Sequence, residues 1–268
     1  MSSSRQAALY VIPGSHACRS AMLMLEFKGI AYRTVVLPTG LHPLLVRASG
    51  FPGHADPIRS FDGATPRRLA AVDRLGTVPA LRLDGEAVQT NLAITRFLER
   101  IRPAPPLYPA EDGLRGEVEE AERWADETLQ MAARRTVLAV RSLDALHARG
   151  GEGRLGALLS GNATVRALSN RSAARMFGAD AAAERRLVEE VPALLERVDR
   201  WIAAGVLDGE RLNAADLMIA PSLALLAYRR DLRPQIEAHP AGALLERVLP
   251  EGGSRAGASR PAGDRERA

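Results

Sequence analysis

The sequence predicts an α/β domain followed by an all-helical domain, and three observations carry that expectation. A strand–helix–strand pattern occupies residues 7–37 and a hairpin followed by a helix occupies 78–101. Beyond a proline-rich connector at 102–109, only helical periodicity remains.

Residues 7–12 (AALYVI) form a short apolar run closed by Pro13-Gly14, the sign of a buried strand. A helix follows over 17–28, with Ala21, Met24, Leu25 and Lys28 at helical spacing and Gly29 as its stop. Residues 32–37 (YRTVVL) are β-branched and apolar, a second strand ending at Pro38. Strand, helix and strand within this length make a βαβ unit, whose two strands run parallel.

The stretch 39–76 is less regular. Residues 42–48 carry one or two helical turns, and 66–75 another, with Pro66 placed to start it. Between them Gly50-Phe-Pro-Gly-His-Ala-Asp-Pro is turn-rich, and a loop of this length is often functional. Two short strands, 78–83 and 86–89, are joined by Asp84-Gly85, a hairpin signal because both turn positions need positive φ. A helix over 91–101 places Ala93, Ile94, Phe97, Leu98 and Ile101 on one face, with Thr90 or Asn91 as N-cap. This order is that of a thioredoxin-like sheet.

The connector Arg102-Pro-Ala-Pro-Pro-Leu-Tyr-Pro109 is stiff and unable to continue a helix. Helices are expected over 114–146, 155–176, 182–204, 213–229 and 234–249. Asn213-Ala-Ala-Asp216 resembles a capping box opening an apolar helix. The tail 251–268, rich in Gly, Ser, Arg and Pro, is expected to be disordered. The domains are therefore expected at 6–102 and 110–249.

Composition narrows the function classes. The 268 residues are 46% hydrophobic and 25% charged, as in an ordinary globule with a core. No uncharged apolar run reaches the ~18 residues of a bilayer span, so no membrane role is expected. The first residues, Met1-Ser-Ser-Ser-Arg-Gln, show no pattern of a secretory leader. Cys18 is the sole cysteine, so no internal disulfide can form and a reducing cytoplasm is the expected location. The net charge of +4 comes from arginines interleaved with acids, as in Glu184-Arg185-Arg186…Glu189-Glu190, which reads as a solvated face. Aromatics at 4% are too few for base-stacking platforms, so nucleic acid is not an expected partner. His42, His54, His147 and His239 share no metal-ligand spacing and no metal site is expected. His16 reads as a surface turn residue.

Five segments in order resemble the glutathione transferase superfamily. They are Leu9–Ile30 (strand, active-site turn and first helix), Gly76-Thr-Val-Pro-Ala-Leu81, Ala93-Ile94-Thr-Arg-Phe-Leu98, Pro106-Leu-Tyr-Pro109, and Asn213-Ala-Ala-Asp216. The resemblance covers essentially the whole chain up to the tail. It implies a thioredoxin-like domain that binds glutathione, or a related low-molecular-weight thiol, as co-substrate. It also implies a helical domain that holds a small apolar electrophile, and a homodimer.

By that resemblance Ser15 stands at the usual catalytic position, where it would hydrogen-bond the glutathione sulfur and hold it as thiolate; it can equally be the helix N-cap. Cys18, three residues on, is either an alternative nucleophile or a small buried hydrophobe. Val78-Pro79 matches the family's cis-proline turn, whose exposed backbone pairs with the cysteinyl part of glutathione like an added strand. Thr90-Asn91 replaces the usual Glu/Gln-Ser that binds the γ-glutamyl carboxylate at a helix start. Both can donate to a carboxylate, but neither offers a charge for the ligand's ammonium, and Gln89 could do so only after a one-residue shift. Trp124, Leu129, Met131 and Arg134 lie on the helix expected to line the second-substrate pocket. The expected function is a transferase-like enzyme acting in detoxification. Its rivals are a non-catalytic binding protein on the same fold and a Cys18-dependent thiol redox protein.

Overall fold

The computed structural model describes residues 7–38, 40–53, 76–138, 154–155, 171, 174–175 and 177–250. The N-terminal part runs β1 (Ala7–Val11), α1 (His16–Phe27), β2 (Tyr32–Val36), α2 (His42–Ala48), β3 (Ala80–Leu83), β4 (Glu86–Gln89) and α3 (Asn91–Ile101). Its sheet has the order β2-β1-β3-β4, with β1 parallel to β2 and antiparallel to β3. The remaining described elements are helical: α4 (Asp112–Trp124), a π-helical turn (Ala125–Leu129), α5 (Gln130–Leu138), α6 (Ala181–Ala203), α7 (Ala214–Ala227), α8 (Arg233–Glu237) and α9 (Pro240–Val248). This is the α/β-then-all-α class that the sequence predicts.

Most elements fall within a residue or two of their expected positions, and the exceptions have local causes. The strand expected at 78–83 starts only at Ala80, which pairs with Tyr10, because Pro79 has no N–H to give the ladder. The helix expected at 234–249 is two helices, since Pro240 stands in the first turn of α9 and cannot continue α8. The helix expected from Leu114 begins at Asp112, because the Glu111 carboxylate caps the N–H groups of Gly113 and Leu114. The expected helix at 66–75, most of that at 155–176, the end of that at 114–146 and the tail 251–268 lie outside the described residues.

One apolar core joins the two parts. α7 is buried on all sides and packs against α1, α4 and α5. Its start is a full capping box: Asn213 Oδ1 accepts from Ala215 N and Asp216 N, while Asp216 Oδ2 accepts from Asn213 N at 2.8 Å. Asp216 Oδ1 also takes Asp208 N, and Asn213 Nδ2 donates to Val206 O, so the box pins the preceding loop as well. Ala214 N reaches back to Leu107 O, tying the connector to α7.

The connector is anchored from the other side by Lys28. Its side chain is 0% exposed, and Nζ donates to Glu99 Oε2 and to the carbonyls of Arg102 and Pro105, both at 2.7 Å. Glu99 Oε2 also accepts from Leu107 N. All three ammonium donors are satisfied, which a buried lysine requires. Lys28→Met keeps the apolar stem and removes the donors. It should lower stability by about 3–5 kcal/mol, read from denaturant midpoints, because Glu99 is left without its counter-ion.

A second buried group, Glu122 of α4, lies where α3, the connector and α4 meet. It is 0% exposed; Oε2 accepts from Arg96 Nη1 at 2.6 Å and from the Tyr108 hydroxyl at 2.8 Å. Oε1 has no donor, since the Thr95 hydroxyl gives its proton to Asn91 O. Burial, only partly offset by Arg96, lifts Glu122 to about 7. The folded state thus holds this proton more tightly than the unfolded chain, so this site favours folding below about pH 4.5 and loses that stability as pH rises toward 7. Glu122→Gln has no such proton. Relative to wild type it should gain on the order of 2–3 kcal/mol between pH 4.5 and 8, measured as diverging unfolding midpoints.

Candidate functional site

The sheet register brings three chain reversals to one end. β1 ends at Val11 and β3 begins at Ala80, opposite Tyr10; β4 ends at Gln89, opposite Ala80. The starts of α1 and α3 and the turn at Val78-Pro79 therefore share one rim of the sheet.

At the first reversal, Gly14 at φ 68° turns the chain so that Ser15 (φ −76°, ψ 116°) can cap α1. Ser15 Oγ accepts from Cys18 N at 3.2 Å, and the residue is half-buried. The cap uses only a lone pair, so the hydroxyl proton can still be given to an anion beside the helix start. Capping and thiolate stabilisation are thus compatible roles for one side chain. Cys18 lies on the inner face of α1, 1% exposed, with burial lifting its thiol to about 11 despite opposing hydrogen bonds from Ser15 and Ile12 and the charge of Arg134.

His16 is not the surface residue expected. It is buried, and its Nε2 lies 3.2 Å from the main-chain oxygen of Gln130 on α5. A carbonyl only accepts, so Nε2 carries the proton. Burial first and the charge of Arg134 second hold His16 well below the usual histidine range, so it is neutral. The helical part docks here, directly beside Ser15.

At the second reversal the Val78-Pro79 peptide is cis, as expected. Pro79 O accepts from Thr90 N at 3.2 Å, joining this turn to the start of α3. Thr90 stands at φ 71°, ψ 151°, an unfavourable conformation for a β-branched residue. It is held by that bond and by its own Oγ1, which accepts from Ala93 N at 3.4 Å. Asn91 is 2% exposed, and its Oδ1 has no donor.

Sequence reasoning assigned Gln89 no firm role, and the structure assigns it one. It is buried; Nε2 donates to Thr77 O at 3.1 Å and Oε1 accepts from Gly53 N at 2.9 Å. Its amide is thus spent on the backbone of Gly53 and Thr77. Gly76 sits beside it at φ 133°, where a Cβ would meet Gln89 Nε2 at 3.2 Å and Val46 Cγ1 at 3.3 Å, so glycine is required. The alternation of the hairpin, with Gln89 at an inward position opposite Ala80, was the available signal.

On the other flank, α2 brings His42, whose Nδ1 accepts from Gly40 N at 3.3 Å. Burial, then Arg134, lowers it to about 4. Of the candidate pocket residues on the helical side, Leu129 and Met131 are fully buried and Trp124 is locked edge-on against Trp201. Arg134 is half-buried and rests over the Phe177 ring at 4.8 Å. No cluster of His, Cys, Asp and Glu able to hold a metal ion occurs among the described residues, and no described helix is long and apolar enough to cross a membrane.

A four-stranded thioredoxin-like sheet with a capped helix start and a cis-proline turn, followed by helices, is the class of fold that these elements define. Residues 9–106 match the model of the glutathione S-transferase N-terminal domain. Solved structures share the fold. A glutathione S-transferase of Ceriporiopsis subvermispora in complex with glutathione is 18% identical, with a TM-score of 0.57 over 91% of this chain and 97% of that one. A GST-like protein from Pseudomonas syringae is 18% identical, TM-score 0.56, over 92% of this chain and 67% of that one. A Methylobacterium radiotolerans glutathione S-transferase in complex with glutathione sulfonate is 18% identical, TM-score 0.51, over 91% and 90%. No curated protein matches the sequence. Residues 9–106 thus carry the match to a glutathione S-transferase N-terminal domain, and the fold of the chain is that of these solved structures.

Replacing Gln89 by Ala should leave Gly53 N without its acceptor. Amide exchange at Gly53 should rise about tenfold or more, with little change in the core of α7. Unchanged protection at Gly53 would mean that Gln89 does not hold Gly53.

Proposed function

We propose that the protein is a glutathione-transferase-like enzyme. It binds glutathione, or a related thiol, along the Val78-Pro79 turn and the start of α3, and conjugates it to, or reduces with it, a small apolar electrophile. The observation that carries this reading is Ser15. Its hydroxyl stands at the positive end of α1, where it caps through a lone pair and its proton can turn from the Cys18 thiol to a bound sulfur, on the same rim as the cis-proline turn. A free thiol is only a few per cent ionised at neutral pH. A hydrogen bond and a helix dipole at the sulfur favour the thiolate, so its proton passes to water and its electron pair becomes the nucleophile. Thr90 and Asn91, at the start of α3, would bind the γ-glutamyl carboxylate, and the relatives solved with glutathione or glutathione sulfonate support such a ligand. A cytoplasmic homodimer serving detoxification is the setting that fits this reading.

The buried, protonated thiol of Cys18 speaks against the Cys18-centred redox alternative. A non-catalytic binding protein on the same fold is the second reading, favoured by the unusual pair Thr90-Asn91, whose asparagine is almost wholly buried.

Glutathione titrated into the protein should bind by calorimetry, and an activated aryl chloride should turn over with it. Ser15→Ala should lower kcat/KM by about 10–100-fold, the value of one hydrogen bond to an anion, and move the acidic limb of the pH profile upward. Cys18→Ala should retain activity. Binding without turnover favours the second reading; neither binding nor turnover removes the proposal; loss confined to Cys18→Ala returns the redox alternative.

A further inference from the structure

α2 turns its apolar side away from the protein. Its buried residues are Pro43 and Val46, and Gly76 lies against both. The opposite side carries Leu41, Leu44, Leu45 and Ala48, the i, i+3, i+4, i+7 stripe that a helix ordinarily sets against a core. Here the stripe meets solvent: Leu41 is 56% exposed, Leu44 57% and Leu45 37%. Among the described residues the exposed large apolar side chains are these three and Val36, at the end of the edge strand β2. Scattered leucines on a surface are ordinary, whereas a whole stripe marks a place of contact.

The charge around the stripe has one sign. Residues 27–55 contain no aspartate or glutamate, in a chain that holds 32 acidic residues. Arg33 pairs across the sheet with Ala8, and Ala8 with Arg82, whose Nη2 donates to Ser49 O at the end of α2 at 2.6 Å. Arg33 therefore stands on the α2 face of the sheet, at its open edge, and is exposed. Arg47 flanks the stripe one turn after Leu44, and its Nη1 donates to the carbonyls of Phe51 and Pro52. Neither guanidinium is in an ion pair among the described residues. The acid that precedes this stretch, Glu26, is taken by Arg19 and Tyr32.

Area and charge together choose the occupant. A stable protein partner takes about 800 Å² from each side, which three leucines and a valine do not offer. A second copy would also bring Arg33 and Arg47 against like charges. A lipid surface needs no matched area, conforms to protruding side chains and, where anionic, attracts arginine. We infer that α2 is a membrane-surface contact: Leu41, Leu44 and Leu45 enter the interface of an anionic bilayer while Arg33 and Arg47 meet its phosphate headgroups. It is reversible adsorption to one leaflet, for which no spanning segment is needed. It does not depend on the glutathione reading.

The test floats the full chain with vesicles on a density gradient. With phosphatidylcholine vesicles holding about 30% phosphatidylglycerol, about tenfold more wild type should rise with the lipid than with pure phosphatidylcholine, and less as salt screens the arginines. Leu41→Ser, Leu44→Ser and Leu45→Ser together should cut that binding about tenfold or more. Arg33→Gln with Arg47→Gln should bring the two kinds of vesicle to about the same level. Leu44→Cys carrying an environment-sensitive dye should shift to the blue on the anionic vesicles, which contact through another basic face would not produce. Because the leucines are exposed, the serine variant should keep the wild-type unfolding midpoint and sedimentation coefficient. Failure of the wild type to bind overturns the inference in favour of an acidic protein partner. Binding unchanged in the serine variant, an anionic preference kept in the glutamine variant, or a dye that stays in water also overturns it. A serine variant that melts lower shows that the chain itself covers the leucines, and one that sediments as a smaller species shows that a second copy does; either result overturns it too.

Discussion

The structure depends on how one buried ammonium is satisfied. Lys28 ends α1, and its three hydrogen bonds reach the end of α3 through Glu99 and the connector through two carbonyls. The starts of those same two helices carry Ser15 and Thr90-Asn91. A rigid helix transmits position along its length, so fixing the far ends of α1 and α3 against one charge also fixes their near ends relative to each other. The connector, held by Lys28 and by Leu107 O accepting from Ala214 N, then sets α7 against α1.

The site is built from helix starts and turns, with little side-chain charge of its own. Ser15 caps with a lone pair; Thr90 tolerates a positive φ because two hydrogen bonds hold it. Gln89 ties Gly53 and Thr77 to the hairpin. Arg134 of the helical part adds a positive charge that bears on His16, Cys18 and His42.

Much of this was legible in the chain. Asp84-Gly85 between alternating strands placed the hairpin, and 42–48 and 91–101 were readable as helices to the residue, because turn chemistry and helical spacing are local. The cis turn at Val78-Pro79 and the Asn213–Asp216 box were readable through resemblance and capping pattern. His16 was misread, since its burial comes from a carbonyl 114 positions away. Glu122 gave no warning either: nothing near it in sequence announces Arg96 and Tyr108 as its partners.

By itself, then, the sequence determined the class of fold, the order of its elements and the three reversals that form the rim, because each rests on neighbours within a few residues. Only the tertiary structure decided what those residues do. It put Cys18 in the core, left Ser15 at the rim, spent Gln89 on the backbone and brought Arg134 over α1. Burial and charge are set by groups that meet only when the helical part folds back on the sheet, and local pattern carries no record of that meeting.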